Sequence, residues 1–426
     1  MLSPLSQTPC QPHPISHWQR SSIHGVFYTV GFGGITYCVD VVTADASRLK
    51  NRALAYAFTS SPYIITAFAA SKASDEFSTN WRWGFGAFAI IFPVVAAPLF
   101  VLLKYNVRKA KKKGLLIREK SGRTWAQSVW HYLIEFDGNA PNGWGTGYII
   151  AMLVVGFVVL VAFGLFEWYI APVPMMRYTL LNNRTVAGAC LLDATYQVSY
   201  YCWNNLFTSF LQVVNYLTVA EAGYVDNTFN VVSGVLLLLV GYAVRRTGHF
   251  KWLLYIAVPL YVFAQGLMIY FRNPTGYIGY IVMCQIFISI GGAIFIIVEQ
   301  LAVLAAITHQ DIAAGLSLLY VVGTTGGAVG SAISGAVWTH SFSHALEMYL
   351  PESAMSSYDN IFNDLTTQLS YEKGTPTRQA IQKAYGYGQT RMLAVGCGII
   401  ALCFVWILLI RNINVRKSAQ VKGMVF

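Results

Sequence analysis

Apolar residues in this chain arrive in blocks about twenty residues long, separated by loops rich in lysine and arginine. A helix rises about 1.5 Å per residue, so one such block spans about 30 Å, the thickness of a bilayer's hydrocarbon core. Inside lipid, every backbone N–H and C=O must find its partner within the protein, which leaves only helices or a closed barrel. Barrel strands would read as segments of about ten residues with alternating polarity, and the chain has none. Composition agrees: 55% of residues are hydrophobic and 11% charged, against about 25% charged in soluble domains. The expected fold class is all-α, a polytopic membrane helical bundle.

Ten spans are predicted: 23–42, 53–71, 83–103, 147–168, 187–213, 228–243, 253–271, 277–298, 312–338 and 392–410. Residues 1–22 carry prolines and histidines but no apolar core, and are expected to form a disordered tail. The net charge of +11 sits in short loops between spans. That placement points to cytoplasmic loops rather than to a nucleic-acid partner. The seven cysteines form no CxxC pair or ligand cluster, and most lie inside apolar blocks as small hydrophobes. Neither a cofactor nor a metal site is expected, and nothing in the pattern points to an enzyme.

Orientation follows from the basic loops. Arg48, Lys50 and Arg52 place the first connection inside, as do nine Lys/Arg against one Glu between Lys104 and Arg123. With a single crossing at 147–168, Arg177, Arg184, Arg245, Arg246, Lys251 and the C-terminal tail would all fall outside. One more crossing between Lys104 and Gly147 repairs every violation at once. No apolar block supplies it: TWAQSVWHYLIEFD (124–137) is short and polar and reads as an interfacial amphipathic helix. The expected division is a tail at 1–22, three spans at 23–103 and a basic loop with the interfacial helix at 104–146. A linker span at 147–168, a six-helix bundle at 187–411 and a tail at 412–426 complete it. Within the bundle, 339–391 is expected to be a long external loop. Asn183-Arg184-Thr185 matches a glycosylation sequon that this topology leaves unused on the cytoplasmic side.

Three stretches carry a family resemblance. They are DVVTADASRLKNRALAYAFTSSPYIITAF (40–68) with NWRWGFGAFAI (80–90), RTVAGACLLDATYQVSYYCWNNLFTSFLQVV (184–214) with GYAVRRTGHFKWL (241–253), and GGAIFIIVEQLAVLAAITHQDIAAGLSLL (291–319) running into GTTGGAVGSAISGAVWTHSF (323–342). Together they resemble the fungal siderophore–iron transporters of the major facilitator superfamily, over about residues 25–411. The resemblance implies fourteen spans in relatives against ten here, with the first three and the seventh missing. The seventh is the crossing that the charge parity demands. It also implies transport of ferric siderophores of the hydroxamate class by alternating access and proton symport, with no need for a protein iron site because the chelator already wraps the metal. The expected partners are therefore the siderophore, protons and the lipid bilayer, with the plasma membrane favoured over a vacuolar or endosomal one.

Candidate residues follow. Asp193, Tyr196, Tyr200, Trp203 and Phe207 recur every three or four residues and share one helical face. A carboxylate two turns inside a membrane helix costs several kcal/mol unless its site is wet or paired. The face is then a cavity wall with Asp193 as proton or hydrogen-bond partner, or else a packing face with a satisfied acid. Asp40, Asp45, Arg48 and Arg52 bracket the first cytoplasmic turn, where the resemblance implies a latch on the inward gate; ordinary loop charge explains them equally. Gly241, Arg245, Arg246, Gly248 and Lys251 echo the superfamily's glycine-and-arginine loop, with Arg245 where an acid often stands. Glu299 and Gln300 are expected at the end of the 277–298 span, and His309 and Asp311 at the start of the next, as gating groups or solvated helix ends. Gly323, Gly327, Ser331 and Gly335 recur every four residues, with Gly326, Gly330 and Ser334 beside them, as a sliding helix contact. In 339–391, Tyr385 and Tyr387 are candidates for siderophore capture, or part of a folded lid without ligand. Competing functions on the same bundle are a drug–proton antiporter, against which the tyrosine-bearing loop argues, and a chain that does not itself transport.

Overall fold

A computed structural model describes residues 34–76, 81–112, 180 and 182–416. The chain divides into two compact units, residues 1–38 with 101–176 and residues 39–100 with 177–426. Of the first unit, the described residues are 34–38 and 101–112, all helical. The expected N-terminal tail, the interfacial helix 124–137, the span 147–168, the extra crossing and the end of the C-terminal tail lie outside the described residues.

The described residues are helical throughout, without a strand. In chain order the helices are α1 (34–46), α2 (Leu49–Ser60), α3 (Tyr63–Glu76), α4 (Trp81–Lys112), α5 (Arg184–Asn204), α6 (Phe207–Val214), α7 (Val219–Asp226) and α8 (Thr228–Thr247). They continue with α9 (Lys251–Phe271), α10 (Ile278–Ala306), α11 (Ile312–Tyr349), α12 (Tyr358–Asn363), α13 (Leu365–Ser370), α14 (Pro376–Ile400) and α15 (Cys403–Leu409). Six stretches among the described residues are long and apolar enough to cross a membrane: Leu49–Ala73, Val219–Thr247, Lys251–Phe271, Ile278–Ala306, Ile312–Tyr349 and Pro376–Leu409. The chain is an integral, multi-pass membrane protein.

Local chemistry sets the helix ends. Asn183 caps α5, its side-chain oxygen accepting from Thr185 N, while its amide donates to Ala306 O at the end of α10. The sequon asparagine thus ties two helix ends together. Thr218 and Glu221 form a capping box on α7. Gly248, at φ +75°, closes α8 in the left-handed conformation that a side chain disfavours.

α5 runs at the centre of the second unit, packed against α10, α11, α14 and α15. Glycine makes the tightest of these contacts possible. A Cβ on Gly326 would lie 2.5 Å from Ala194 O, and one on Gly330 2.7 Å from Val198 Cα, so the α5 and α11 backbones touch. The pair α2–α3 packs on α7 and α8 in the same way, with Gly241 against Ala53 and Leu54.

Two predicted boundaries move. The span 187–213 is two helices, broken at Asn205–Leu206, with Leu206 at φ +60°. Side chains hold the break: Asn205 donates to Ser334 Oγ (2.6 Å), Gln389 to Leu206 O (3.5 Å) and Arg272 to Trp203 O (2.6 Å). The region 339–391 is not one long loop. α11 continues to Tyr349, and α14 already starts at Pro376 with Thr375 capping it, the ordinary use of proline at a helix's first position. What remains, residues 350–375, is a compact lid containing α12 and α13.

Candidate transport site and gates

The aromatic stripe on α5 is a packing face. Tyr196 is buried, its ring centroid 5.8 Å from Tyr261 and 5.3 Å from Phe295. Trp203 is fully buried and donates from Nε1 to the Tyr261 hydroxyl at 3.1 Å. Phe207 belongs to α6, beyond the break, and meets the Trp203 ring edge-on, centroids 6.2 Å apart. Tyr200 is only half-buried, among Tyr201, Trp203 and Phe229. Of the predicted wall residues it keeps the most room for a neighbour.

Asp193 leaves that stripe and turns to the junction of α5, α10 and α11. It is half-buried there, and its carboxyl and that of Glu299 on α10 act on each other electrostatically. Glu299 is not a solvated helix end. α10 runs on to Ala306, placing Glu299 about two turns inside it, 4% exposed. The apolar run LAVLAA after Gln300 continues the helix, so the predicted end at 298 was set by charge alone. Against the pair lies Gly323 of α11, where a Cβ would come 2.1 Å from Asp193 Oδ2.

The small-residue stripe on α11 is rotated from the predicted one. Gly323, Gly326, Gly327, Gly330 and Ser334 are buried, whereas Ser331 is exposed and Gly335 has nothing near it. A strict four-residue repeat drifts by roughly 40° per step around a helix of 3.6 residues per turn. Counted from 323 it stands about 80° away at 331 and about 120° away at 335, whereas 326, 330 and 334 share the drift but start about 60° on the other side and so cross the interface.

At the first turn, the buried Arg52 donates to Ala44 O (2.7 Å) and Ser47 O (3.2 Å), satisfying carbonyls where α1 ends. Asp45 acts on Arg52 electrostatically, and Arg48 is exposed at the start of α2. Asp40 joins two parts of the chain far apart in sequence. Its carbonyl accepts from Tyr56 OH (3.0 Å), and Gln300 Nε2 approaches its carboxylate at 3.5 Å. Arg245 and Arg246 are exposed, but their carbonyls hold Arg416, and Val415 N donates to Gly248 O (2.9 Å). The segment after α15 is therefore strapped back onto the α8–α9 turn.

Tyr385 and Tyr387 lie on α14. Tyr385 is buried against Trp338 and Phe342, and its hydroxyl donates to Gln368 Oε1 (2.7 Å). It anchors the lid. Tyr387 is half-buried, with the Arg391 guanidinium 3.4 Å from its ring centroid. The residue that does most for the lid, Arg378, was not predicted: it donates to Gln368 O in the lid and to Val213 O (3.0 Å) at the end of α6. Arg272 was missed too. Both arginines adjoin proline-containing turns and read as loop charges; no local pattern announces that they are buried. Among the described residues no group of three His, Cys, Asp or Glu is placed to hold a metal ion.

Membrane-length helices whose backbones touch through glycine define a polytopic helical membrane protein. The curated relatives narrow the class. The chain is 56% identical to a siderophore iron transporter, mirB, of Emericella nidulans. It is 54% identical to MFS siderochrome iron transporter 1 of Gibberella zeae and 51% identical to MFS siderochrome iron transporter B of Aspergillus fumigatus. These alignments take in 94% of this chain and 70%, 70% and 69% of those proteins. No family model matches the chain. The chain belongs to the fungal siderophore iron transporters of the major facilitator superfamily.

Proposed function

We propose that this protein carries ferric siderophores of the hydroxamate class across the fungal plasma membrane by proton-coupled alternating access. The observation that carries the reading is two acids within membrane helices of a chain from this family, Glu299 buried in α10 and Asp193 half-buried on α5 against Gly323 of α11. Intramembrane acids are retained at ion and substrate pathways because they are costly elsewhere. A chelate that wraps its own iron asks the protein for aromatic and hydrogen-bonding walls, which Tyr200 and Tyr387 supply in part. Asp193 and its neighbours Tyr196 and Trp203 then form the wall's support, with Tyr385 securing the lid above.

Gating is assigned to two contacts. Asp40 and Gln300, with Asp45, Arg48 and Arg52 beside them, join α1–α2 to α10, and Arg245 and Arg246 lie where the C-terminal strap docks. α11 slides on α5 along Gly323, Gly326, Gly327 and Gly330, because backbones that touch through glycine separate without dragging side chains past one another.

Expression in a yeast lacking its own siderophore carriers tests the reading. Uptake of radiolabelled ferric ferrichrome is expected to exceed the empty-vector level and to collapse with a protonophore. Uptake at the vector level would remove the siderophore assignment, and uptake indifferent to the protonophore would remove the proton.

A further inference from the structure

The turn between α8 and α9 gathers positive charge that the described fold leaves unneutralised. Arg245 and Arg246 are exposed in the last turn of α8, and Lys251 opens α9. Arg416, exposed too, reaches the same turn from the segment after α15, its guanidinium donating to the carbonyls of Arg245 and Arg246. Among the described residues none of the four forms an ion pair with a carboxylate. The arrangement is built rather than loose. Gly248 sits at φ +75°, and Val415 N donates to its carbonyl at 2.9 Å, which fixes Arg416 beside the other cations. Like charges held together repel, and an anion relieves them.

The surroundings say where that anion comes from. Tyr242 (54% exposed), Trp252 (38%) and Tyr255 (56%) flank the charges. The Trp252 indole donates to His249 O at 3.0 Å, and Lys251 Nζ lies 5.9 Å from the Tyr255 ring centroid. Past these rings the exposed side chains turn apolar, with Leu238 and Leu239 on α8 and Ile256 and Phe263 on α9. Charge, amphipathic ring, then hydrocarbon is the order of headgroup, interface and acyl chain in a lipid. The 21 residues of α9 span about 30 Å, the thickness of a bilayer's hydrocarbon core. Its far end has rings without the charge: Tyr270 and Tyr277 are exposed, but Arg272 beside them is buried. Aromatic bands thus mark both boundaries, and the α8–α9 turn is the one that offers an anion site.

We propose that the α8–α9 turn binds the headgroup of an anionic phospholipid, with Arg245, Arg246, Lys251 and Arg416 taking its charge and the three rings lying beside its glycerol. Basic loops stay on the cytosolic side, which makes the leaflet the cytoplasmic one, where anionic lipids concentrate. The bound headgroup also screens Arg416 from Arg245 and Arg246, and so secures the segment after α15 on the turn. The inference goes beyond the transport reading and stands without it.

Native mass spectrometry of the purified full chain, given equal amounts of phosphatidylserine and phosphatidylcholine with the same acyl chains, reads the site without any siderophore. The wild type should retain phosphatidylserine in preference. Arg246→Gln should lower that preference about fivefold, and adding Arg245→Gln and Lys251→Gln should abolish it. Lysine in place of both arginines keeps the charge and should keep the preference, which tells an emptied site from a misfolded variant. Lys383→Gln removes an equal charge, exposed on α14, and should change nothing. Equal retention of the two lipids by the wild type would overturn the proposal. So would an unchanged preference in the triple glutamine variant, its loss in the lysine variant, or the same fall in Lys383→Gln. Displacement of the lipid by inorganic phosphate would make the turn a site for soluble anions and overturn the lipid assignment.

Discussion

Two sites in the second unit carry charge inside the protein and balance it in opposite ways. At the lid end, Arg378 and Arg272 give their protons to main-chain carbonyls and lay their guanidinium faces on aromatic rings: Arg378 over Tyr216 at 5.4 Å, Arg272 over Phe207 at 4.2 Å. At the α5–α10–α11 junction, Asp193 and Glu299 act on each other, and among the described residues neither forms an ion pair with a basic side chain. An arginine keeps its charge at any working pH, so a site built on it is a fixed fastening. A carboxyl pair changes charge with one proton. The contrast separates what holds the transporter together from what lets it respond.

Substitutions should obey that division. The largest effect on folding is expected from Arg378→Met, which leaves the carbonyls of Gln368 and Val213 without their charged donor. A loss of about 3 kcal/mol follows from two such bonds, read as a fall in Tm of the detergent-purified protein. Glu299→Gln, equally buried, should leave Tm nearly unchanged. If the two variants melt alike, the contrast is broken. Gly330→Val comes next, at about 2 kcal/mol, because its side chain must displace the Val198 backbone; the same scan measures it.

Arg272→Met sharpens the comparison at the lid end. Arg272 makes one hydrogen bond, to Trp203 O, while its Nε and Nη2 lack hydrogen-bond partners among the described residues. Replacing a poorly satisfied buried charge by an apolar chain of similar length should change stability by about 1 kcal/mol or less. A cost equal to that of Arg378→Met would show that Arg272 is a second fastening.

The smallest effect is in the lid. Asp364 caps α13, accepting from Thr367 Oγ1 (2.7 Å) and from the amides of Thr367 and Thr366. The Thr367 hydroxyl and amide hold its carboxyl below the usual carboxylate range. A lowered value means that the ionised form is favoured in the fold. The stabilisation is thus present above the ordinary value near about 3.9 and is lost as pH falls through the lowered one. Asp364→Ala should cost about 0.5 kcal/mol at neutral pH and nothing at strongly acid pH, seen as faster proteolysis of the lid only in the neutral case.

Much of this was legible in the sequence. Apolar blocks and basic loops are long-range signals, and they gave the membrane class and most helices of the second unit. The motif strings pointed to the right family. Spacing also put Asp193 on a marked helical face, yet it could not show that Glu299 arrives there from a helix about a hundred residues away. Charge usually ends a span, which puts Glu299 at a helix end in the sequence, whereas the apolar run LAVLAA after Gln300 carries the helix on to Ala306. The break at Leu206 escaped notice for a related reason. NNLF lies inside an apolar stretch, and the partners that hold the break open are distant: Arg272 after α9 and Gln389 of α14 donate to it, and Ser334 of α11 accepts from Asn205. Tyr385 looked like a loop residue because the Thr375–Pro376 helix start was passed over. For the Leu206 break the missing information was a set of partners distant in sequence; for Tyr385 it was the local start signal Thr375-Pro376.

The most direct measurement follows protons and siderophore together. In proteoliposomes carrying the purified chain, adding a ferric hydroxamate outside should make the external medium alkaline as the chelate enters, and Glu299→Gln should abolish the pH change. Siderophore entering the wild-type vesicles with no movement of protons would contradict the coupling proposed for Asp193 and Glu299.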